Sequence, residues 1–341
     1  MKKPTLLIIL STISTLLYSE LAFGHVKWFS SYKENMTPVS IDMLGNSQNL
    51  MFLVLALVAI FITRFTSNSL TGFFTNGLTL IKNIVIRDSL RNYLQISLFI
   101  TVLLCWHYDV VLTPELPTTN TLITIIQFSI ILTGFVPALR KLLPVGIVLL
   151  FMSGIYQAGL FHMMDYMYVL AVAWFIWVTQ NNTSEHTFKR AMYVLYFATG
   201  FSLCWVGIEK LIYPHWVEDV LSQQPVLALG MPYSFFIRGA AFVEFTIGFF
   251  FILQLWPRIC AIALSILMVF TTFIFGVTEI IGHLLLHTIL IVFIYLGSIR
   301  DDVLVLNNRP LVISLMSSSL YIASFVALTS IYYFLADSLV T

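Results

Sequence analysis

Four ionisable residues stand inside two long apolar segments near the middle of the chain. Glu209 and Lys210 lie just before the end of the first segment, and Arg238 and Glu244 lie inside the second. An ionisable side chain at membrane depth costs several kcal/mol unless it is paired or hydrated. The four residues therefore predict either a functional site or a structural ion pair between two helices. By helical rise, Glu244 is expected to meet His287 or Arg238, and Glu209 to meet Arg238.

A later segment carries one carboxylate and two imidazoles at helical spacing. Glu279, His283 and His287 are spaced i, i+4 and i+8, so they share one face of a helix. Such a face could bind a transition metal or relay protons. The alternative is a polar stripe that hydrogen-bonds neighbouring helices.

The amino terminus resembles a secretory signal over residues 1–24. A positive start and an apolar run precede Ala22-Phe23-Gly24, a small-x-small cleavage site. The alternative is an uncleaved first membrane helix. Cleavage would leave residues 25–46 as a periplasmic segment, in which Trp28 and Phe29 are expected to dock at the membrane interface.

Signal cleavage would also create a metal chelate. His25 would become the new amino terminus, and its free amine and imidazole would together favour copper. His215, or His283 with His287, would complete the site, and Glu279 lies on the same face as that pair. The alternative is that His25 merely follows the cleavage site.

The composition is that of a membrane protein. The chain has 341 residues, of which 59% are hydrophobic and only 10% are charged, whereas about a quarter are charged in soluble proteins. The net charge of +1 excludes a general nucleic-acid-binding surface. The lipid bilayer is therefore the first expected partner, and the predicted fold class is an all-α polytopic membrane bundle.

Apolar runs near the ~20 residues needed to cross a bilayer predict ten spans. A segment at residues 65–90 mixes apolar and basic residues and is predicted to lie on the membrane surface. The predicted spans are 47–64, 91–112, 121–138, 143–161, 163–180, 190–213, 233–255, 258–278, 279–298 and 311–335.

The basic residues predict the orientation of these spans. With the mature amino terminus outside, eleven lysines and arginines fall on the inner side and four on the outer side. This bias predicts a multi-pass protein of the bacterial inner membrane with a periplasmic amino terminus. The four outer residues are Lys27, Lys33, Lys210 and Arg238.

A weak internal repeat divides the chain into two four-helix units, 88–180 and 188–298. Leu104-Cys105-Trp106 and Leu203-Cys204-Trp205 take similar places near the ends of two spans. Residues 47–87 would form the first span and the interfacial helix, and 311–335 the last span. The first unit has Val110-Val111 where the second has Glu209-Lys210, so any chemistry is predicted to belong to the second unit.

Two motifs of the second unit, WVGIEKLIYP at 205–214 and FVEFTIG at 242–248, resemble those of the DoxX-like membrane proteins. The resemblance covers about residues 190–298 and implies a four-helix bundle. One branch of that family is similar to a subunit of thiosulfate:quinone oxidoreductase, which implies a quinone as a cofactor. The residues that carry the resemblance are Gly207, Lys210, Pro214, Trp216, Glu244 and Gly248.

Three functions remain open from the sequence. The first is a redox-linked or metal-handling protein whose polar and histidine site faces the periplasm, with copper or a quinone bound and a periplasmic redox protein as a partner. The second is a transporter or channel, for which parallel repeats and midplane charges also argue. The third is a non-catalytic assembly subunit that acts through a partner subunit.

Overall fold

The computed structural model describes residues 26–30, 38–39, 45–70, 77–118, 120–181, 184–300 and 310–340. In these ranges the chain forms α-helices and short 3-10 helices and no strand, which confirms the all-α prediction. The α-helices are α1 (Val26–Phe29), α2 (Ser47–Leu70), α3 (Gly77–Ile81), α4 (Ile84–His107), α5 (Thr121–Phe135), α6 (Leu143–Met163), α7 (Met167–Asn181), α8 (Glu185–Ile212), α9 (Pro214–Gln223), α10 (Tyr233–Leu253), α11 (Pro257–Phe275), α12 (Val277–Leu296) and α13 (Pro310–Val340).

Nine of the ten predicted spans fall on apolar helices of the described residues, and the tenth, 91–112, falls on α4, which is not among them. Six continuous helical stretches among the described residues are long and apolar enough to cross a membrane, and two shorter apolar helices accompany them. One of the six, 139–181, contains two predicted spans. Gly159 interrupts its helical geometry at φ 84°, which glycine adopts without steric cost, and a 3-10 turn follows at Met164–Tyr166. The helices on either side, α6 and α7, then pack against each other.

The segment predicted to lie on the membrane surface is divided among three helices instead. Helix α2 continues to Leu70, α3 is a single short turn, and α4 begins at Ile84. The new start has a local cause, because the Asn83 side chain accepts a hydrogen bond from the Val85 amide. Arg87 then donates to carbonyls at the end of α3, so the chain turns sharply here.

Helix α8 is the central helix of the second unit. Of its most apolar window, 78% is buried inside the protein, the highest share among the six stretches. It packs most closely against α10, where glycines face each other: a Cβ at Gly200 would lie 2.4 Å from the Gly248 carbonyl oxygen. Small residues allow such close backbone contact between membrane helices. This approach sets which side chains of α8 and α10 meet.

The two predicted units contact each other along two seams. Helix α4 packs against α12, and α7 packs against α8. In each seam the first helix of one unit meets the last helix of the other. Two parallel units related by a two-fold axis would produce this pairing, which supports the proposal of an internal repeat.

Candidate functional site

The second unit contains a cavity of about 570 Å³. Its wall is formed mainly by apolar side chains of α8 to α12. The polar residues lie toward one end of the bundle, where α8 ends and α12 begins. They are Asp165, Thr199, Ser202, Lys210, Glu244, Thr271, Glu279 and His283.

Lys210 and Glu244 form an ion pair on the cavity wall. The Lys210 ammonium donates to Glu244 Oε2 at 2.6 Å, and the two side chains are 9% and 18% exposed. A Cβ at Gly207, one turn before Lys210, would lie 2.7 Å from the Ala241 carbonyl oxygen. Close approach of α8 and α10 at Gly207 therefore brings lysine and carboxylate together.

The pairs expected from helical depth do not form. Glu244 pairs with Lys210 rather than with His287 or Arg238, and Arg238 donates to Gln48 of α2. Glu209 is buried and accepts a hydrogen bond from the Tyr332 hydroxyl at 3.0 Å. Equal depth is not sufficient, because the direction in which each helix face points also decides the partner.

Glu209 and Lys210 are neighbours in sequence but serve different contacts. Successive residues of an α-helix point about 100° apart. Glu209 accordingly faces Tyr332 on α13, while Lys210 lines the cavity. The two charges that the sequence groups together thus have different surroundings.

Two polar residues of α12 contribute a second acid–base pair. His283 Nδ1 lies 3.0 Å from Glu279 Oε1, and the Thr271 hydroxyl donates to the same oxygen at 2.6 Å. Both members of the pair line the cavity. His287 is not among the described residues that line the cavity. Of the three residues on the predicted helix face, Glu279 and His283 line the cavity and His287 does not.

The predicted metal ligands are not gathered into one group. His215 lies on α9, is about half exposed and pairs with Glu218 at 3.1 Å. Within the part of the chain that the structure describes, no three His, Cys, Asp or Glu side chains could hold a metal ion together. His25 lies outside the described residues, so the amino-terminal chelate stays a prediction.

The segment that follows His25 packs against protein, and Trp28 and Phe29 are buried. The Trp28 indole N–H donates to the Tyr166 hydroxyl at 2.8 Å, and its ring centre lies 5.1 Å from that of His283. Phe29 stacks on Phe275 at 3.9 Å and lines the cavity. Helix α1 thus covers the polar end of the cavity.

Gly282 makes room for this helix. A Cβ at Gly282 would lie 1.8 Å from Cη2 of Trp28, so a larger residue could not share the space. The amino-terminal segment and α12 are therefore matched in shape at this point.

A hydrogen-bonded chain runs from Trp28 into the first unit. Tyr166 accepts from Trp28 and donates to Glu115 Oε1 at 2.6 Å, and His162 Nε2 lies 2.7 Å from the same oxygen. Asp165, next to Tyr166 in sequence, is buried as well. Nothing in the sequence around Glu115 or Tyr166 indicates these contacts, because the partners of both residues lie far away along the chain.

The comparisons with known proteins agree with the motifs of the second unit. Residues 191–277 match the family model described as DoxX, inside the 190–298 stretch that resembles this family. No curated protein and no solved structure matches the chain. The matched range holds α8, α9, α10 and α11 and the ion pair between Lys210 and Glu244. Residues 191–277 are therefore similar to the DoxX family, and the apolar helices are those of a multi-pass membrane protein.

Proposed function

We propose that this protein binds an amphipathic ligand of the quinone class in the cavity of its second unit and acts in a redox-linked process. One observation carries the proposal: an apolar cavity of about 570 Å³ is lined by two acid–base pairs near one end. Mostly apolar pockets with a few placed polar groups are typical of small-molecule sites.

The chemistry of the lining favours a flat apolar ring with oxygen substituents. Lysine has three donor protons, and Glu244 takes one of those of Lys210. Thr271 and His283 place a hydroxyl and an imidazole on the same wall. A quinone offers carbonyl oxygens as acceptors, and the reduced form offers hydroxyl donors, so both forms would find partners here.

The rim of the cavity favours entry from the bilayer. Ile266, Leu267 and Phe270 of α11 line the cavity and are also exposed on the surface of the protein. Exposed apolar side chains on a membrane helix face lipid. A ligand with an apolar tail would therefore enter sideways past α11 and keep its tail in hydrocarbon.

The hydrogen bonds that connect Tyr166, Glu115 and His162 would carry protons for such a ligand. Tyr166 lines the cavity, Glu115 bonds its hydroxyl, and His162 has 23% of its side chain exposed. A quinone gains protons on reduction and loses them on oxidation. Tyr166, Glu115 and His162 would connect that exchange to the side of the membrane where α8 ends.

Ligand binding can be tested with purified protein and a short-chain benzoquinone. We expect saturable binding, detected by quenching of tryptophan fluorescence, and at least tenfold weaker binding in the Thr271→Val variant. Arg238→Gln is the matched control, because Arg238 pairs with Gln48 outside the cavity. Saturable binding by neither the quinone nor the quinol would overturn the proposal and favour the assembly-subunit function.

The orientation is part of the proposal. The mature amino terminus and the polar end of the cavity are assigned to the periplasm on the charge bias of the loops. Reporter fusions at Asn182 and Asn307 should report the cytoplasm, and a fusion at Thr119 the periplasm. The opposite pattern would show that the protein has the inverted orientation in the membrane.

Copper binding at a processed amino terminus is the second candidate function. The observation that favours it is the docking of Trp28, three residues after His25, between the Tyr166 hydroxyl and the His283 ring. The test compares mature protein with a version that has one extra residue before His25. We expect one copper ion in the first and none in the second, because the extension converts the amine to an amide. Equal copper contents would reject the terminal chelate.

A further inference from the structure

A second, smaller cavity lies in the first unit at the opposite end of the bundle. It has a volume of about 210 Å³ and lies between α4 and α5, near the start of α4 and the end of α5. Its polar lining residues are Asn92, Gln95, Thr133 and Arg140. Nothing in the proposed function uses this cavity.

The cavity is positively charged. Arg140 lines the cavity, and Lys141 follows it on the 3-10 helix Pro137–Leu142; both are exposed. None of the described residues that line the cavity is acidic. The single carboxylate of α4, Asp88, is held by Arg91 at 3.0 Å. The site is therefore complementary to an anion.

Large apolar side chains surround the same basic residues. On the segment that carries Arg140 and Lys141, Phe135 is 72% exposed, and Val136, Leu139 and Leu142 are exposed as well. In a helix of this membrane protein such side chains lie in the hydrocarbon, while the neighbouring charges reach the headgroups. The cavity is therefore placed at the level of the lipid phosphates.

Exposed apolar side chains follow the cavity along α4 and α5, and this apolar surface is called the α4–α5 groove. Ile96 and Ile100 on α4 and Leu132 and Phe128 on α5 are all exposed large side chains. At the cavity itself the two helices are in close contact, since a Cβ at Gly134 would lie 2.4 Å from Cε2 of Phe99. This surface has the apolar character that acyl chains require.

We propose that this cavity and groove form a binding site for one anionic phospholipid. Arg140 and Lys141 hold the phosphate, Asn92 and Gln95 donate to oxygens of the headgroup, and the acyl chains lie along the α4–α5 groove. Basic pockets between membrane helices on the cytoplasmic side bind acidic lipid headgroups in this way. A free phosphate would satisfy the charges but would leave the groove unused, so the occupant is a lipid.

The test measures lipid binding to the purified full chain in detergent by native mass spectrometry. Phosphatidylglycerol and phosphatidylcholine with the same acyl chains are compared, and inorganic phosphate is added in a separate arm. We expect a retained phosphatidylglycerol adduct and at least tenfold weaker phosphatidylcholine binding. Equal retention of the two lipids would overturn the proposal, as would displacement of phosphatidylglycerol by millimolar phosphate.

The charges are tested by the double variant Arg140→Gln/Lys141→Gln. Each basic residue near an anionic lipid contributes about a fivefold change in affinity, so the double variant should bind roughly thirtyfold more weakly. The charge-keeping variant Arg140→Lys/Lys141→Arg should retain most of the affinity. Both residues are exposed, so neither variant is expected to unfold.

The matched control removes two charges elsewhere at the same end of the bundle. Lys189→Gln/Arg190→Gln changes the net charge equally but lies on α8, away from the cavity. We expect its phosphatidylglycerol affinity to stay within twofold of that of the unchanged protein. An equal loss in both double variants would show general surface attraction and reject a defined site.

Discussion

The two units have different chemistry near the junction of their first and second helices, which in the first unit is the loop that follows α4. In the second unit a lysine of α8 meets a carboxylate of α10, and the pair lines a cavity. In the first unit the buried Gln127 of α5 donates to the carbonyls of Val110 and Val111, at 2.6 and 3.2 Å. The contact of Gln127 in the first unit is therefore uncharged, whereas Lys210 and Glu244 in the second unit form an ion pair that lines a cavity.

The difference shows that corresponding places in two similar bundles can hold either a neutral contact or an ion pair. An amide that bonds two backbone carbonyls satisfies buried groups and has no charge to offer a ligand. A lysine–glutamate pair costs desolvation, and removing one partner leaves an uncompensated charge. The four predictions that follow test this contrast, beginning with the largest expected effect.

Removing the cation of the second unit should have the largest effect. Lys210→Met leaves Glu244 on the cavity wall without its partner, and the free energy of unfolding should fall by about 3 kcal/mol at neutral pH. Denaturant titration in detergent measures this. The double variant Lys210→Met/Glu244→Gln should recover most of the loss. A double variant as unstable as the single one would show that the pair acts through shape rather than charge.

Displacing the amino-terminal helix should have the next largest effect. In Gly282→Ala the new Cβ occupies the space of Trp28, so we expect a loss of about 2 kcal/mol and release of α1. Trypsin cleavage after Lys27, followed by mass spectrometry, measures that release. Gly45→Ala is the control, because no atom lies within 4 Å of its added Cβ. Unchanged cleavage in Gly282→Ala would contradict the docking of α1.

Removing the Gln127 contact of the first unit should lower the free energy of unfolding by less than removing Lys210 does. Gln127→Leu leaves the Val110 and Val111 carbonyls without their side-chain donor, which costs about 1–2 kcal/mol. The same denaturant titration applies, and quinone binding in the second unit should be unchanged. Weakened binding would mean that the two units are coupled more tightly than this contrast assumes.

Neutralising Glu115 should have the smallest effect on stability. Glu115→Gln keeps an acceptor for Tyr166 and changes only the charge beside His162, so a loss of about 0.5 kcal/mol is expected. A double-mutant cycle with His162→Gln measures the coupling between these two partners. A coupling of zero would show that the contact between Glu115 and His162 does not belong to the hydrogen-bonded series that begins at Tyr166.

The helices and their order could be predicted from the sequence. Apolar runs such as 190–213 and 279–298 are long enough to span a bilayer, and in lipid every backbone group must be satisfied within a helix. The motif around Gly207 and Lys210 likewise pointed to the family that residues 191–277 match. These features are local, so a linear pattern is sufficient to show them.

The partners of the polar side chains were decided only by the tertiary structure. Glu244 meets Lys210 because glycines bring α8 and α10 together. The depth of a residue along its helix does not show how the helix is rotated toward its neighbour. Glu115 meets His162 across 47 residues, and Trp28 reaches Tyr166 across 138. A sequence shows which residues share one helix face. Which faces meet depends on the packing of all the helices at once, because contact between helices is set by shape and not by spacing along one chain.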